Sequence, residues 1–132
     1  MGRFDGLKGL VLGVANDHSI AWYIAKEILA EGGQIGFSHL PDRADDERQR
    51  NRRRVSMLTD AEPNAKFLVP MDVSSDDQIA AVMDRARQEF GTIDFLVHSI
   101  AYAPLEDLKG ETTNCSREGF RLAMETLSLI HI

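Results

Sequence analysis

Short, almost unbroken apolar runs alternate along this chain with stretches in which apolar residues return every third or fourth position. The first run, Leu10 to Val14, is apolar at nearly every position, as a strand buried on both faces should be. From Ser19 to Ala30, Ile20, Ile24 and Ile28 recur at helical spacing with Ala21, Ala25 and Leu29 beside them, and Gly32 and Gly33 supply a stop. A second strand is predicted over Gln34 to Leu40. Pro41 and Asp42 then break the chain, and Arg43 to Asp60 reads as a polar helix with its acids early and its bases later, the order a helix dipole favours. The third strand is predicted over Phe67 to Val73. A helix follows with Ser74 or Ser75 as N-cap, Asp77 or Gln78 to complete a capping box, and one stripe of Ile79, Val82, Met83, Ala86 and Phe90. Gly91 ends it, and Ile93 to Ile100 is a fourth apolar strand.

Strands separated by helices must be joined by crossovers, which makes them parallel neighbours, and such crossovers are right-handed. The predicted architecture is therefore α/β: a doubly wound parallel sheet, Rossmann-like, with about four strands in a single domain over residues 1–132. Ligands of such sheets bind outside the carboxyl ends of the strands. That rule directs attention to Gly13–Ser19, Ser38–Arg43, Asp72–Ser74 and His98–Pro104.

Composition narrows the partners. A net charge of −6 and a pI near 5.1 argue against nucleic acid and anionic membranes, which call for a basic face. No apolar run approaches a bilayer span, no cationic apolar leader opens the chain, and the single cysteine, Cys115, has no internal partner for a disulfide. A cytoplasmic protein is expected.

Each candidate segment carries a chemical reading and a structural one. A phosphate needs backbone N–H groups aimed at it, a helix start behind them and no side chain in the way. Gly13 gives close approach, and the Ser19 hydroxyl either caps the helix or donates to a phosphate oxygen. At the end of the second strand, Leu40 can pack on adenine and Asp42 can accept from a ribose, while His39 and Arg43 suit a phosphate. The arginine run Arg48 to Arg54 is read as a solvated helix face in preference to a polyanion site. Asp72 can accept from an adenine amino group with Val73 against the ring, or serve as a helix-start acid. His98 interrupts an apolar strand, a position that more often holds a satisfied core histidine than a catalyst.

Taken together, "GVANDHSIA", the Asp-Val pair after the third strand, "VHSIAYAP" and "REGFRLA" resemble the NADH-dependent enoyl-acyl-carrier-protein reductases of bacterial type II fatty-acid synthesis. These are a branch of the short-chain dehydrogenases that replaces the usual three-glycine turn with a longer one ending in Ser-Ile-Ala. The resemblance runs from about Gly6 to Met124. It implies that Gly13, Ser19 and Ile20 contact the cofactor phosphates, Leu40 lies beside the adenosine, Asp72 and Val73 meet the adenine, and Ile100 is near the nicotinamide ribose. Ala103 would face the enoyl substrate. Many relatives have glutamine where this chain has Leu40, so packing would replace a hydrogen bond there. The implied reaction is hydride transfer from NADH to the β-carbon of an enoyl thioester on acyl-carrier protein, with the enolate oxygen stabilised by a tyrosine hydroxyl. That tyrosine, and a lysine that holds the nicotinamide ribose, fall in the family beyond the fourth helix, so neither Tyr23 nor Tyr102 takes the role. The resemblance also implies a homotetramer. "LSLIHI" departs from the family's long helix, so the expectation is a carboxyl-terminal truncation with residues 127–132 a non-native tail, and an inactive chain on its own. An NADP-dependent ketoacyl reductase or other short-chain dehydrogenase, and a noncatalytic nucleotide-binding module, are the competing readings.

Overall fold

The computed structural model describes residues 1–128. Its backbone gathers into two compact units, Met1–Ser99 and the described residues from Ile100 onward. In the first, β1 (Lys8–Leu12), α1 (Ile20–Ala30), β2 (Gln34–His39), α2 (Arg50–Thr59), β3 (Ala65–Pro70), α3 (Asp76–Phe90) and β4 (Phe95–His98) alternate along the chain. The four strands are all parallel, in the order β3-β2-β1-β4. This is the predicted doubly wound, Rossmann-like α/β sheet. The order turns back at β1, so the crevice between the carboxyl ends of β1 and β4 is its topological switch point.

Alternate residues of each strand face opposite layers. Val11, Ile35 and Phe37 form one buried cluster with Trp22, Ala25, Ile28 and Leu29 of α1 and Val55 of α2, and the Trp22 and Phe37 rings lie 6.3 Å apart. On the other face Val82, Ala86 and Phe90 of α3 are buried, and the Phe90 ring lies 5.7 Å from that of Phe67. The stripe predicted for this helix thus faces the sheet, with Ile79 and Met83 half-buried at its margin.

Element boundaries shift from the sequence reading for local reasons. β1 begins at Lys8 because that residue is tied down at both ends: its N–H donates to the Asp94 carboxylate at 3.0 Å and its ammonium to the Phe90 carbonyl at 2.6 Å. It stops before Gly13, whose φ of 108° leaves the extended region. β3 ends at Pro70, which is tolerated because β3 is an edge strand paired only with β2. β4 is shorter than predicted, closing where Ser99 N–H reaches the Leu12 carbonyl at 3.0 Å. The polar helix starts seven residues late, at Arg50 rather than Arg43, because Gln49 adopts a left-handed conformation (φ 46°). Before α3, Ser75 is the N-cap, and its hydroxyl accepts from Gln78 N–H. Gln78 does not complete a capping box, since its side chain instead takes the Asp72 N–H at 2.7 Å.

The second unit holds two short 3₁₀ turns, Leu105–Leu108 and Thr112–Asn114, and the amphipathic helix α4 (Arg117–Leu127). The Ser116 hydroxyl caps α4 by accepting from Gly119 N–H at 2.9 Å, and Ser116 N–H is held by the Asp107 carboxylate at 2.6 Å. Of the expected tail, Leu127 ends this helix and Ser128 follows it as C-cap, while residues 129–132 lie outside the described residues. Among the described residues no helix is long and apolar enough to cross a membrane.

Gly36 sits where β2 passes under Phe67, and a Cβ there would collide with that ring. The ring has little room to retreat, being packed on Phe90 and covered by the Arg85 guanidinium at 4.7 Å. Gly36→Ala should therefore cost about 1–3 kcal/mol of stability through overpacking, read as a lowered urea midpoint. An unchanged midpoint would show that Phe67 is free to move.

Candidate functional site

Because the strands are parallel, the segments that follow β1, β2 and β3 emerge at the same edge of the sheet. Gly13 to Ser19, Leu40 and the pair Asp72–Val73 are brought together there. Each has a distinct local construction.

After β1, Gly13 turns the backbone and the chain makes a loop that is organised by one hydroxyl. Ser19 Oγ accepts from Ala15 N–H at 3.0 Å and from Asn16 N–H at 3.1 Å. Asn16 returns the tie, its side-chain oxygen taking His18 N–H at 2.9 Å and its carbonyl taking Ser19 N–H at 3.2 Å. Ser19 stands at the N-cap position of α1, as expected, but its side chain makes no cap hydrogen bond. The reason is that its lone pairs are committed to the loop. Its backbone carbonyl takes Trp22 and Tyr23 N–H, which leaves Ile20 and Ala21 N–H without acceptors among the described residues. Two helix N–H groups and the hydrogen of the Ser19 hydroxyl are thus available at the positive end of α1, beside a glycine that brings no side chain. Ile20 itself is largely exposed.

After β2, Leu40 is 62% exposed and apolar. The polar residues near it are already engaged. Asp42 caps α2, its two carboxylate oxygens accepting from Asn51 N–H at 2.6 Å and Arg52 N–H at 3.1 Å. His39 is buried, with Nδ1 2.9 Å from the Leu40 carbonyl, so it does not present itself to a phosphate. Arg43 is in solvent, its guanidinium 3.3 Å from Asp45. The Asp46 carboxylate takes Arg48 and Arg50 N–H and pairs with the Arg50 guanidinium at 2.9 Å, an interaction that lowers the Asp46 pKa. Arg48, Arg50, Arg52, Arg53 and Arg54 are all exposed, which matches the reading of this run as a solvated face.

After β3, Met71 N–H still bonds to the His39 carbonyl, and Asp72 and Val73 follow, both half-buried. Asp72 Oδ1 accepts from the Ser74 hydroxyl at 2.6 Å and from Ser74 N–H at 2.9 Å. These bonds hold the Asp72 carboxyl below its ordinary pKa and fix its orientation. Its second oxygen accepts no hydrogen bond among the described residues.

In the first unit His98 closes β4, in register with Leu12. Ile100 and Ala103 belong to the second unit, where both are half-buried in the segment before the first 3₁₀ turn. Sequence reasoning missed the supporting role of three residues: Asn16, which braces the loop; Ser74, offered there only as an N-cap, which orients Asp72; and Gln78, offered only as a capping-box partner, which clamps the Asp72 backbone. The signal for two of them was present in the spacing, because Asn or Asp followed two residues later by a free N–H is an Asx turn.

A sequence model described as enoyl-(acyl carrier protein) reductase matches residues 13–129. The chain belongs to the enoyl-acyl-carrier-protein reductase family. An NADH-named enoyl-acyl-carrier-protein reductase of Nostoc is 38% identical over 98% of this chain and 49% of its own length. The crystal structure of the Anaplasma phagocytophilum enoyl reductase in complex with NAD superposes with a TM-score of 0.82 at 32% identity, over 93% of this chain and 44% of that one. The Bacillus cereus enoyl-acyl-carrier-protein reductase, solved with NADP+ and an indole naphthyridinone, gives 0.83 at 37% identity, over 96% of this chain and 47% of that one. The chain spans about half the length of the curated relatives it matches.

The depressed Asp72 pKa has a directional consequence. Stability from the Asp72–Ser74 bonds is fully present above the ordinary carboxylate value of 3.8 and is lost as pH falls below it through the folded value. Solvent keeps the effect below about 1 kcal/mol. Urea midpoints taken from about pH 6 to about pH 3 should fall less steeply for Asp72→Asn than for the parent. Parallel curves would show that the carboxylate is not held by Ser74.

Proposed function

We propose that this chain forms the cofactor-holding part of an NADH-dependent enoyl-acyl-carrier-protein reductase, which reduces the trans-2 double bond of enoyl groups on acyl-carrier protein during fatty-acid elongation. The observation that carries this reading is the β1–α1 loop. With one glycine it still offers the positive end of a helix, two unengaged N–H groups at Ile20 and Ala21, and a serine hydroxyl fixed by two hydrogen bonds. That combination suits a pyrophosphate, and its position beside the switch point is where a dinucleotide binds in a doubly wound sheet.

NADH, when bound, supplies the hydride. The residues of this chain bind and orient it. Gly13 lets the backbone approach the pyrophosphate, the Ser19 hydroxyl donates to a phosphate oxygen, and the N–H of Ile20 adds a second donor. Leu40 packs on the adenosine. Asp72, held by Ser74, accepts from the adenine amino group with its free oxygen, and Val73 lies against the ring. On the family resemblance, Ile100 contacts the nicotinamide ribose and Ala103 the enoyl substrate. The same resemblance supports a cytoplasmic enzyme that assembles as a homotetramer.

The test is a fluorescence titration of NADH into the purified protein that carries this chain, together with NADH oxidation by a crotonyl thioester. Saturable binding and turnover are expected, and Ser19→Ala should weaken NADH about tenfold or more, because it removes a charge-assisted donor and the tie that shapes the loop. Failure of the parent protein to bind NADH would overturn the reading.

A further inference from the structure

In the second unit the segment that carries Ala103 runs directly into the 3₁₀ turn Leu105–Leu108, and little in the composition of that turn holds it in place. Leu105 and Leu108 are both 67% exposed, so apolar burial does not anchor it. The ion pair of Glu106 with Lys109, at 2.9 Å, is local and lies in solvent. Asp107 makes the connections that reach further. Its N–H donates to the Pro104 carbonyl at 3.0 Å, which ties it to the residue after Ala103. Its Oδ1 accepts from Ser116 N–H at 2.6 Å, the one hydrogen bond among the described residues that joins this turn to the start of α4. Its Oδ2 lies against Gly119, in the first turn of α4, so closely that a Cβ on Gly119 would overlap the carboxylate. Glycine is a poor helix former, yet it occupies this buried helical position. What it supplies there is room for one carboxylate, which the positive end of the helix also favours.

We infer that Asp107 is a positioning residue for the enoyl substrate: it clasps the segment that bears Ala103 to the start of α4, and Gly119 is glycine because the clasp needs the space a side chain would fill. The inference rests on the proposed enoyl-reductase reading, in which Ala103 faces the substrate, and adds the group that holds Ala103 in place. Asp107 acts through Pro104 and Ala103. Contacts that Ala103 makes with the enoyl group are present in the bound substrate and in the transition state alike, so loosening the clasp weakens substrate binding and spares the chemical step.

The experiment measures steady-state kinetics with a crotonyl thioester, alongside NADH dissociation constants, in the protein that carries this chain. Asp107→Ala should raise KM for the thioester about fivefold or more and keep kcat within about threefold of the parent, because a charge-assisted hydrogen bond is lost. Gly119→Ala should do the same by displacing the carboxylate, although on helix propensity alone this substitution favours α4. In the double variant the Gly119 substitution should add less than about twofold to the effect of Asp107→Ala, since the group it collides with is gone. Asp107→Asn retains an acceptor for Ser116 N–H and should stay within about threefold of the parent KM. The NADH constant should stay within about twofold of the parent in every variant. An unchanged KM in both Asp107→Ala and Gly119→Ala, a loss confined to kcat, fully additive effects in the double variant, or a loss of NADH affinity that matches the rise in KM would each overturn the inference, while turnover by the parent leaves the enoyl-reductase reading intact. If the parent does not turn over the thioester, both fall together. Should Asp107→Ala not fold, Gly119→Ala decides alone, because an unchanged KM there contradicts the clasp.

Discussion

The site depends on one constraint: the loop between β1 and α1 must satisfy its own backbone donors without using those at the start of the helix. A three-glycine turn meets this by letting the backbone fold tightly. Here the Ser19 hydroxyl does it, accepting from Ala15 and Asn16 N–H and closing a loop that Asn16 braces from within. Because these bonds saturate the oxygen's lone pairs, the hydroxyl hydrogen and the first helix N–H groups remain directed to whatever lies beyond. A longer loop with a fixed hydroxyl is therefore an alternative solution to the problem that glycine solves by having no side chain.

The sheet fixes where that loop stands. Parallel strands in the order β3-β2-β1-β4 place three of the candidate segments at one edge and put the β1 turn beside the point where the order reverses. Two buried layers hold this arrangement, Trp22 and Phe37 on one face and Phe67 with Phe90 on the other. Small residues make the layers possible, as at Gly36, where β2 passes beneath an aromatic ring. Around the edge, acids that look alike in sequence are used differently. Asp72 is oriented by Ser74 and keeps an oxygen available, whereas Asp42 is consumed by capping a helix.

The strands and helices were legible because buried parallel strands are continuous apolar runs and helices show a stripe, and both patterns survive in Leu10–Leu12 and in Val82, Ala86 and Phe90. Their ends were not, because they are set by single groups: the lysine ammonium of Lys8 and the left-handed Gln49. The edge of the sheet that gathers the candidate segments was legible from topology, and the family from motifs spread along the chain. The roles of Ser19 and Asp42 were not. A hydroxyl that accepts from loop amides and one that caps a helix have the same sequence, and so do an aspartate that reads a ribose and one that caps α2. Only the placement of the competing N–H groups separates them.

The most direct measurement is a backbone amide NMR titration of the protein that carries this chain with NADH. The account predicts that the amides of Gly13, Ile20 and Ala21 shift on binding, because they meet the pyrophosphate, and that Val73 shifts with the adenine ring, while Ala15 and Asn16 move less because Ser19 already holds them. Saturable NADH binding that leaves Ile20 and Ala21 unperturbed would contradict it, since the dinucleotide would then lie elsewhere than at the start of α1.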